Sequence, residues 1–147
     1  MIVCGEPVCQ WVAKGINARY APGDTAVGWL DESGQLVAGI LYTDYTRSSI
    51  CLTARVTNPR AVTREWLFAI FDYPFNQLCV KRITSIISTG NPVSIKTSEH
   101  LGWKRETTLA DYFPDGDGIV YIMRREDCRW LDYTKGSTKG NPNALRI

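Results

Sequence analysis

The chain has 147 residues, 44% of them hydrophobic and 22% charged, with a formal net charge of +2. These values describe one globular domain long enough to bury a core. Lys135, Lys139 and Arg146 against Asp132 place +2 in the terminal stretch alone, so the body is near neutral, which argues against a large electrostatic footprint for DNA or RNA and leaves room for a local patch.

Residues 1–4 read as a short strand. From Glu6 to Asn17, Val8, Trp11, Val12 and Ile16 fall on one helical face, weakened by Gly15 and closed by Pro22-Gly23. Thr25 to Leu30, Leu36 to Tyr45 and Ser49 to Thr57 read as three strands joined by short polar turns, an antiparallel meander. Ala61 to Leu78 carries Trp66, Leu67, Ile70, Phe71 and Phe75 at helical spacing, with Pro74 ending the regular helix near Asp72. Its aromatic run is core packing, because Trp66, Ile70 and Tyr73 step at helical intervals.

Arg82 to Ser88 is a strand and Pro92 to Leu101 a helix. Trp103 to Thr108 and Gly118 to Met123 are the last strands, with "DYFPDGDG" between them as a turn or loop. Cys128, Trp130 and Leu131 are expected to pack back onto the body. The expected organisation is a folded domain over 1–131 and a mobile Gly/Ser/Lys-rich tail over 132–147. The strand–helix–strand passages from Ser49 to Ser88 and on to Trp103 imply that part of the sheet is parallel. The fold class is therefore α/β (α+β): a single-domain, mixed, mostly antiparallel sheet with helices on both faces.

Five cysteines stand at 4, 9, 51, 79 and 128, with no zinc or Cys-x-x-Cys spacing. Reduced thiols in a cytoplasmic protein without a metal are expected. No apolar run approaches the ~18 residues of a membrane helix, and the first residues lack a signal-peptide pattern.

The stretch "NPVSIKTSEHLGWKRE", Asn91 to Glu106, is the most informative. Asn91 can cap the helix that Pro92 starts, and Gly102 can end it in the left-handed conformation. Positions 91, 94, 98 and 101 share one face. This stretch, in this order of elements, resembles the GNAT superfamily of CoA-dependent N-acyltransferases, over roughly residues 25 to 125. Asn91, Ser94, Ser98 and Leu101-Gly102-Trp103 match the family's Asn, small residue, Tyr or Ser, and Leu-Gly-Phe spacing. "WKRETTL" is similar to the continuation that follows it, with Glu106 and Leu109 in place. "FDYPFNQL", "RITSII" and "MRREDCRWL" look similar to a small group encoded by tailed phages, which would place the protein in the host cytoplasm.

The resemblance implies acetyl-CoA as co-substrate and an amine acceptor, protein or small molecule, attacked without a covalent enzyme intermediate. No metal and a monomer or homodimer are expected with it, while the charge balance argues against a nucleic-acid partner and the apolar runs against a membrane. Asn91 and Ser94 would hold the pantetheine arm, with Val56 among the backbone groups of splayed fourth and fifth strands. Ser98 would protonate the leaving thiolate. The family's glycine-rich phosphate loop falls on "TNPRAVTREW", which has no glycine; Arg60, Ala61, Val62, Thr63 and Arg64 are the candidate phosphate cradle. The strand Ser49–Thr57 has no carboxylate to serve as base, which leaves Glu106, then Asp44 and Asp111. His100 suits the helix C-terminus by its charge. The alternative is a non-catalytic module on this fold, such as a virion or host-interaction protein; nucleic-acid binding would rest on the basic tail alone.

Overall fold

The computed structural model describes residues 1–132, so the expected tail lies outside the described residues apart from Asp132. The elements follow in the expected order: β1 (Ile2–Cys4), α1 (Glu6–Ile16), β2 (Thr25–Leu30), β3 (Leu36–Thr43), β4 (Ser49–Val56), α2 (Arg64–Asp72), β5 (Arg82–Ser88), α3 (Pro92–Leu101), β6 (Lys104–Phe113) and β7 (Gly116–Arg124). One sheet runs β1-β2-β3-β4-β5-β7-β6. Every neighbouring pair is antiparallel except β4 and β5. The second strand–helix–strand passage makes no parallel pair, because β7 lies between β5 and β6. β7 folds back on β6 and takes the place beside β5 through seven residue pairs, Arg82–Arg124 to Ser88–Gly118.

The two faces of the sheet are covered differently. On one, Val27, Ala38, Ile40, Tyr42, Ile50 and Leu52 pack with Trp66, Leu67, Ile70 and Phe71 of α2, and Ile95 and Leu101 of α3 join them. On the other, Val8, Cys9, Val12 and Ala13 of α1 cover Ala26 and Leu41. The buried stripe of α1 differs from the expected one: Cys9 and Ala13 are inside, and Trp11 and Ile16 are half-buried. The helix sits close because Gly28 and Gly39, paired across β2 and β3, leave it room. A Cβ on Gly39 would stand 2.5 Å from Val12 Cγ2, and one on Gly28 would stand 3.0 Å from Val8 Cγ1. Gly15, a weak point by propensity, has a packing cause as well. The Arg55 guanidinium occupies the space its side chain would take, stacks 4.0 Å from the Trp11 ring centroid, and donates to the Trp11 carbonyl at 2.6 Å.

Two boundaries differ from expectation. The helix expected from Ala61 begins at Arg64, because Thr63 Oγ1 accepts the Trp66 N–H at 3.2 Å and caps it there. Pro59–Ala61 is instead a separate 3-10 turn, capped by Asn58. The α-helix does end at Asp72, but the chain coils on through Pro74 as a π-turn, Tyr73–Gln77. Pro74 has no N–H for the Ile70 carbonyl four residues back. The buried Tyr42 hydroxyl donates to that carbonyl at 2.7 Å. The expected loop at 111–118 is mostly strand. Asp111 takes a left-handed φ of 55° and bulges out, its N–H held by Asp117 Oδ1 at 2.9 Å, so β6 continues to Phe113.

Candidate active site

The central opening is made by the backbone. β4 and β5 pair only from Ser49–Arg82 to Cys51–Thr84, although β4 runs on to Val56 and β5 to Ser88. Beyond Cys51, β4 keeps β3 on one side, and β5 keeps β7 on its far side. Each strand therefore turns an edge of peptide groups toward the gap between them.

α3 starts at the far end of β5 and lies on the α2 face. Asn91 Oδ1 accepts the Ser94 N–H at 3.2 Å, and Pro92 opens the first turn. At the other end Gly102 has φ 102°, its N–H goes to Glu99 O, and the Trp103 N–H reaches Ser98 O at 3.1 Å, a Schellman closure. No residue of α3 is fully buried; Ser94, Ile95, Ser98 and Leu101 are half-buried while Val93, Lys96, Thr97, Glu99 and His100 are exposed. The helix thus turns its hydroxyl face inward, as the spacing predicts. Neither Ser94 Oγ nor Ser98 Oγ has a hydrogen-bond partner among the described residues, so both remain available to a ligand.

Glu106 is placed at the closed end of the gap. It sits on β6 where the register shifts, and the Arg82 guanidinium grips it with two hydrogen bonds, one of 3.0 Å. Arg82 Nε also donates to Thr84 Oγ1 at 3.2 Å. The hydrogen bonds from Arg82 hold the Glu106 carboxyl below the usual carboxylate range. Arg82 alternates with the core residue Ile83, so this pair lies on the face of the sheet opposite α3. Burial raises the pKa of the nearby Cys51 thiol, with Asp44 adding to the rise and Arg82 opposing it. The other two candidate carboxylates are apart: Asp44 in the β3–β4 turn, bonded by Thr43, and Asp111 at the bulge near the β6–β7 turn.

The candidate phosphate residues divide. The N–H groups of Ala61, Val62 and Thr63 are donated to the carbonyls of Asn58, Pro59 and Ala61 at 3.0, 3.1 and 2.8 Å. Those three amides are turned into their own loop rather than held out as a cradle. Arg60, Ala61 and Thr63 line a groove of about 760 Å³ with Trp29, Asp31 and Glu32. Arg64 lines a separate cavity of about 180 Å³ with Arg129, Trp130 and Asp132. Val56 is exposed at the open end of β4.

Sequence reading missed Tyr121. Its ring is fully buried on β7, and its hydroxyl donates to Glu99 Oε1 at 2.9 Å, beside Ser98 in α3. Arg105 Nε donates to the same oxygen at 2.7 Å. Burial, then the bond to Glu99, raise the Tyr121 pKa, while Arg105 and then Tyr121 hold Glu99 down. The alternation of "GIVYIMR" puts Tyr121 on one face with Ile119 and Met123, but only the β5–β7 pairing turns that face toward α3.

Among solved structures, mutant forms of the spermidine/spermine N-acetyltransferase SpeG from Vibrio cholerae superpose with a TM-score of 0.69 at 14% identity, covering 86% of this chain and 95% of theirs. The chain has the GNAT fold. A dodecameric structure of spermidine N-acetyltransferase from the same organism matches with a TM-score of 0.66 at 14% identity, over 86% of this chain and 94% of that one. SpeG in complex with manganese ions matches with a TM-score of 0.65 at 15% identity, over 84% and 91%. No protein-family model and no curated protein matches the chain. At such identities the likeness is one of fold. The gap between β4 and β5 and the helix Pro92–Leu101 rest on this chain's own backbone pairing and caps.

Proposed function

We propose that this protein is an acyl-CoA-dependent N-acyltransferase, most simply an acetyl-CoA-dependent one, that acetylates an amine by direct attack. The observation that carries the reading is the parting of β4 from β5 beside a helix whose inward face presents Ser94 and Ser98. The two exposed backbone edges, Val56 among them, can hydrogen-bond a pantetheine arm, and the Asn91 side-chain amide can orient it. The residues fit that part of the cofactor. They fit the phosphates less well, since the Ala61–Thr63 amides are occupied; Arg60 and Arg64 remain as charged partners.

The two faces divide the chemistry. The amine nitrogen attacks the thioester carbonyl carbon, the C–S bond breaks, and the Ser98 hydroxyl relays a proton to the thiolate on the α3 side, regaining one from the proton that the attacking nitrogen sheds as the amide forms. Glu106, on the opposite face, takes the amine's proton through water. A protonated amine near pKa ~10.4 cannot attack, so this removal has to occur first. Spermidine, the amine in the neighbours' names, is the first acceptor to try. Light scattering tells the expected monomer or homodimer from a dodecamer such as that neighbour forms.

The test is acetyl transfer measured with Ser98→Ala. Loss of the general acid lowers kcat by roughly 10²–10⁴-fold with little change in acetyl-CoA affinity. Wild-type turnover with a confirmed acceptor removes Ser98 from the chemistry. The second reading, a non-catalytic binding or structural module, is favoured by those occupied amides and by a β4 without a carboxylate. Calorimetry separates the two: no binding of acetyl-CoA or CoA at millimolar ligand rejects the enzyme.

A further inference from the structure

The phosphates of the proposed cofactor need partners that the Ala61–Thr63 turn does not supply. We propose that Arg64, Arg129 and Trp130 form a subsite for one phosphate group of the cofactor's nucleotide half. This rests on the acetyl-CoA reading above and adds to it the segment after β7, for which the sequence predicts only that Cys128, Trp130 and Leu131 pack back onto the body.

Arg64 is the first residue of α2, directly after its cap Thr63. Beyond β7 the chain turns back against α2 through two short 3-10 turns, Arg125–Asp127 and Arg129–Asp132. Arg129, Trp130 and Asp132 thereby line one cavity with Arg64, of about 180 Å³. Such a volume suits a phosphate group with its ester and is far below that of a whole-ligand pocket.

The lining is anchored. Trp130 Nε1 donates to Leu101 O at 2.9 Å. The Arg129 guanidinium stacks 4.6 Å from the Trp130 ring centroid and donates to the His100 carbonyl. A guanidinium has five N–H groups in a planar fork, so Arg129 retains donors after that bond. Arg64 has no side-chain hydrogen bond or ion pair among the described residues. Two forks of this kind suit phosphate oxygens, which they can grip in pairs. Among the described residues Asp132 is the one carboxylate on the lining, set against two arginines. The groove beside Arg60 carries Asp31 and Glu32 instead, which repel phosphate.

The competing role for Arg129 is to cap the carbonyls at the end of α3 and nothing more. Calorimetry of the wild type, Arg64→Ala, Arg129→Ala and Asp132→Asn with CoA, 3′-dephospho-CoA and S-acetylpantetheine separates the roles. Each arginine variant is expected to bind CoA roughly tenfold or more weakly, the loss of a hydrogen bond to a charged group. Acetylpantetheine, which has no nucleotide, should bind all four proteins alike. Asp132→Asn should bind CoA a few-fold more tightly. Losses confined to CoA place its 3′-phosphate in the cavity, and equal losses with dephospho-CoA place the pyrophosphate there. Unchanged CoA affinity in both arginine variants, or an equal loss of acetylpantetheine, overturns the subsite while leaving the cofactor reading intact. A wild type that binds none of the three overturns both.

Discussion

Replacing Tyr42 with Phe removes one hydroxyl from the middle of the core and nothing else. Tyr42 is 1% exposed and its ring packs edge-on to Tyr73, with centroids 5.1 Å apart. Its hydroxyl donates at 2.7 Å to the Ile70 carbonyl, which Pro74 deprives of its usual helical donor. The phenylalanine keeps the packing and leaves that carbonyl short of a partner away from water. An unsatisfied buried acceptor costs about 1–3 kcal/mol, so Tyr42→Phe should lose about 2 kcal/mol. With a urea dependence of ~2 kcal/mol per M, the unfolding midpoint falls by roughly 1 M. Pro74→Ala restores an N–H at the position that would bond Ile70, so Tyr42→Phe should cost about 1 kcal/mol less in that background. The double-mutant cycle cancels the effect of Pro74→Ala on the unfolded chain. A midpoint within error of wild type for Tyr42→Phe refutes the hydrogen-bond argument. An additive cycle refutes the part assigned to Pro74.

Gly39→Ala forces a Cβ to within 2.5 Å of Val12 and should destabilise by about 1–3 kcal/mol; Val12→Ala in the same chain should recover part of that loss, and strict additivity by urea unfolding counts against a tight α1–sheet seam. If Glu106 is the base, activity should persist on acidification below the pH at which an ordinary glutamate, near ~4.3, is protonated. It acts while ionised and Arg82 holds its pKa down, so Arg82→Gln should move the acid limb of the rate profile upward; an unmoved limb excludes Glu106. Cys128 is buried and its thiol is pushed up to about 11, so at pH 8 a disulfide reagent should modify exposed Cys4 and Cys79 rapidly and Cys128 only on unfolding. Rapid modification of Cys128, read by mass spectrometry, contradicts its packing.

Local periodicity and punctuation carried most of the fold. Asn91, Pro92 and Gly102 start and stop α3 through hydrogen bonds made within a few residues, which is why the sequence shows them plainly. The same locality placed Asp72 at the end of α2. What the sequence hid depends on partners far along the chain. The π-turn through Pro74 is supported by Tyr42, 28 residues from Ile70. The bulge at Asp111 depends on Asp117 across a hairpin, and the insertion of β7 between β5 and β6 is a matter of sheet order rather than pattern. The site divides likewise. The inward turn of Ser94 and Ser98 follows from helical spacing, whereas the pairing of Glu106 with Arg82, and of Tyr121 with Glu99, exists only once the strands are aligned. The glycine-free turn after β4 could be read as unusual, but only its hydrogen bonds tell where its amides go.

The three-pair ladder between β4 and β5 has one more consequence. Across it the molecule is two smaller sheets, β1 to β4 and β5 to β7, clasped at one end and held apart at the other. A ligand in the opening that offers its own amides to both edges does to the backbone what a missing strand would do. If the proposed cofactor binds there, occupancy and architecture become one quantity, with the last piece of the sheet supplied from solution.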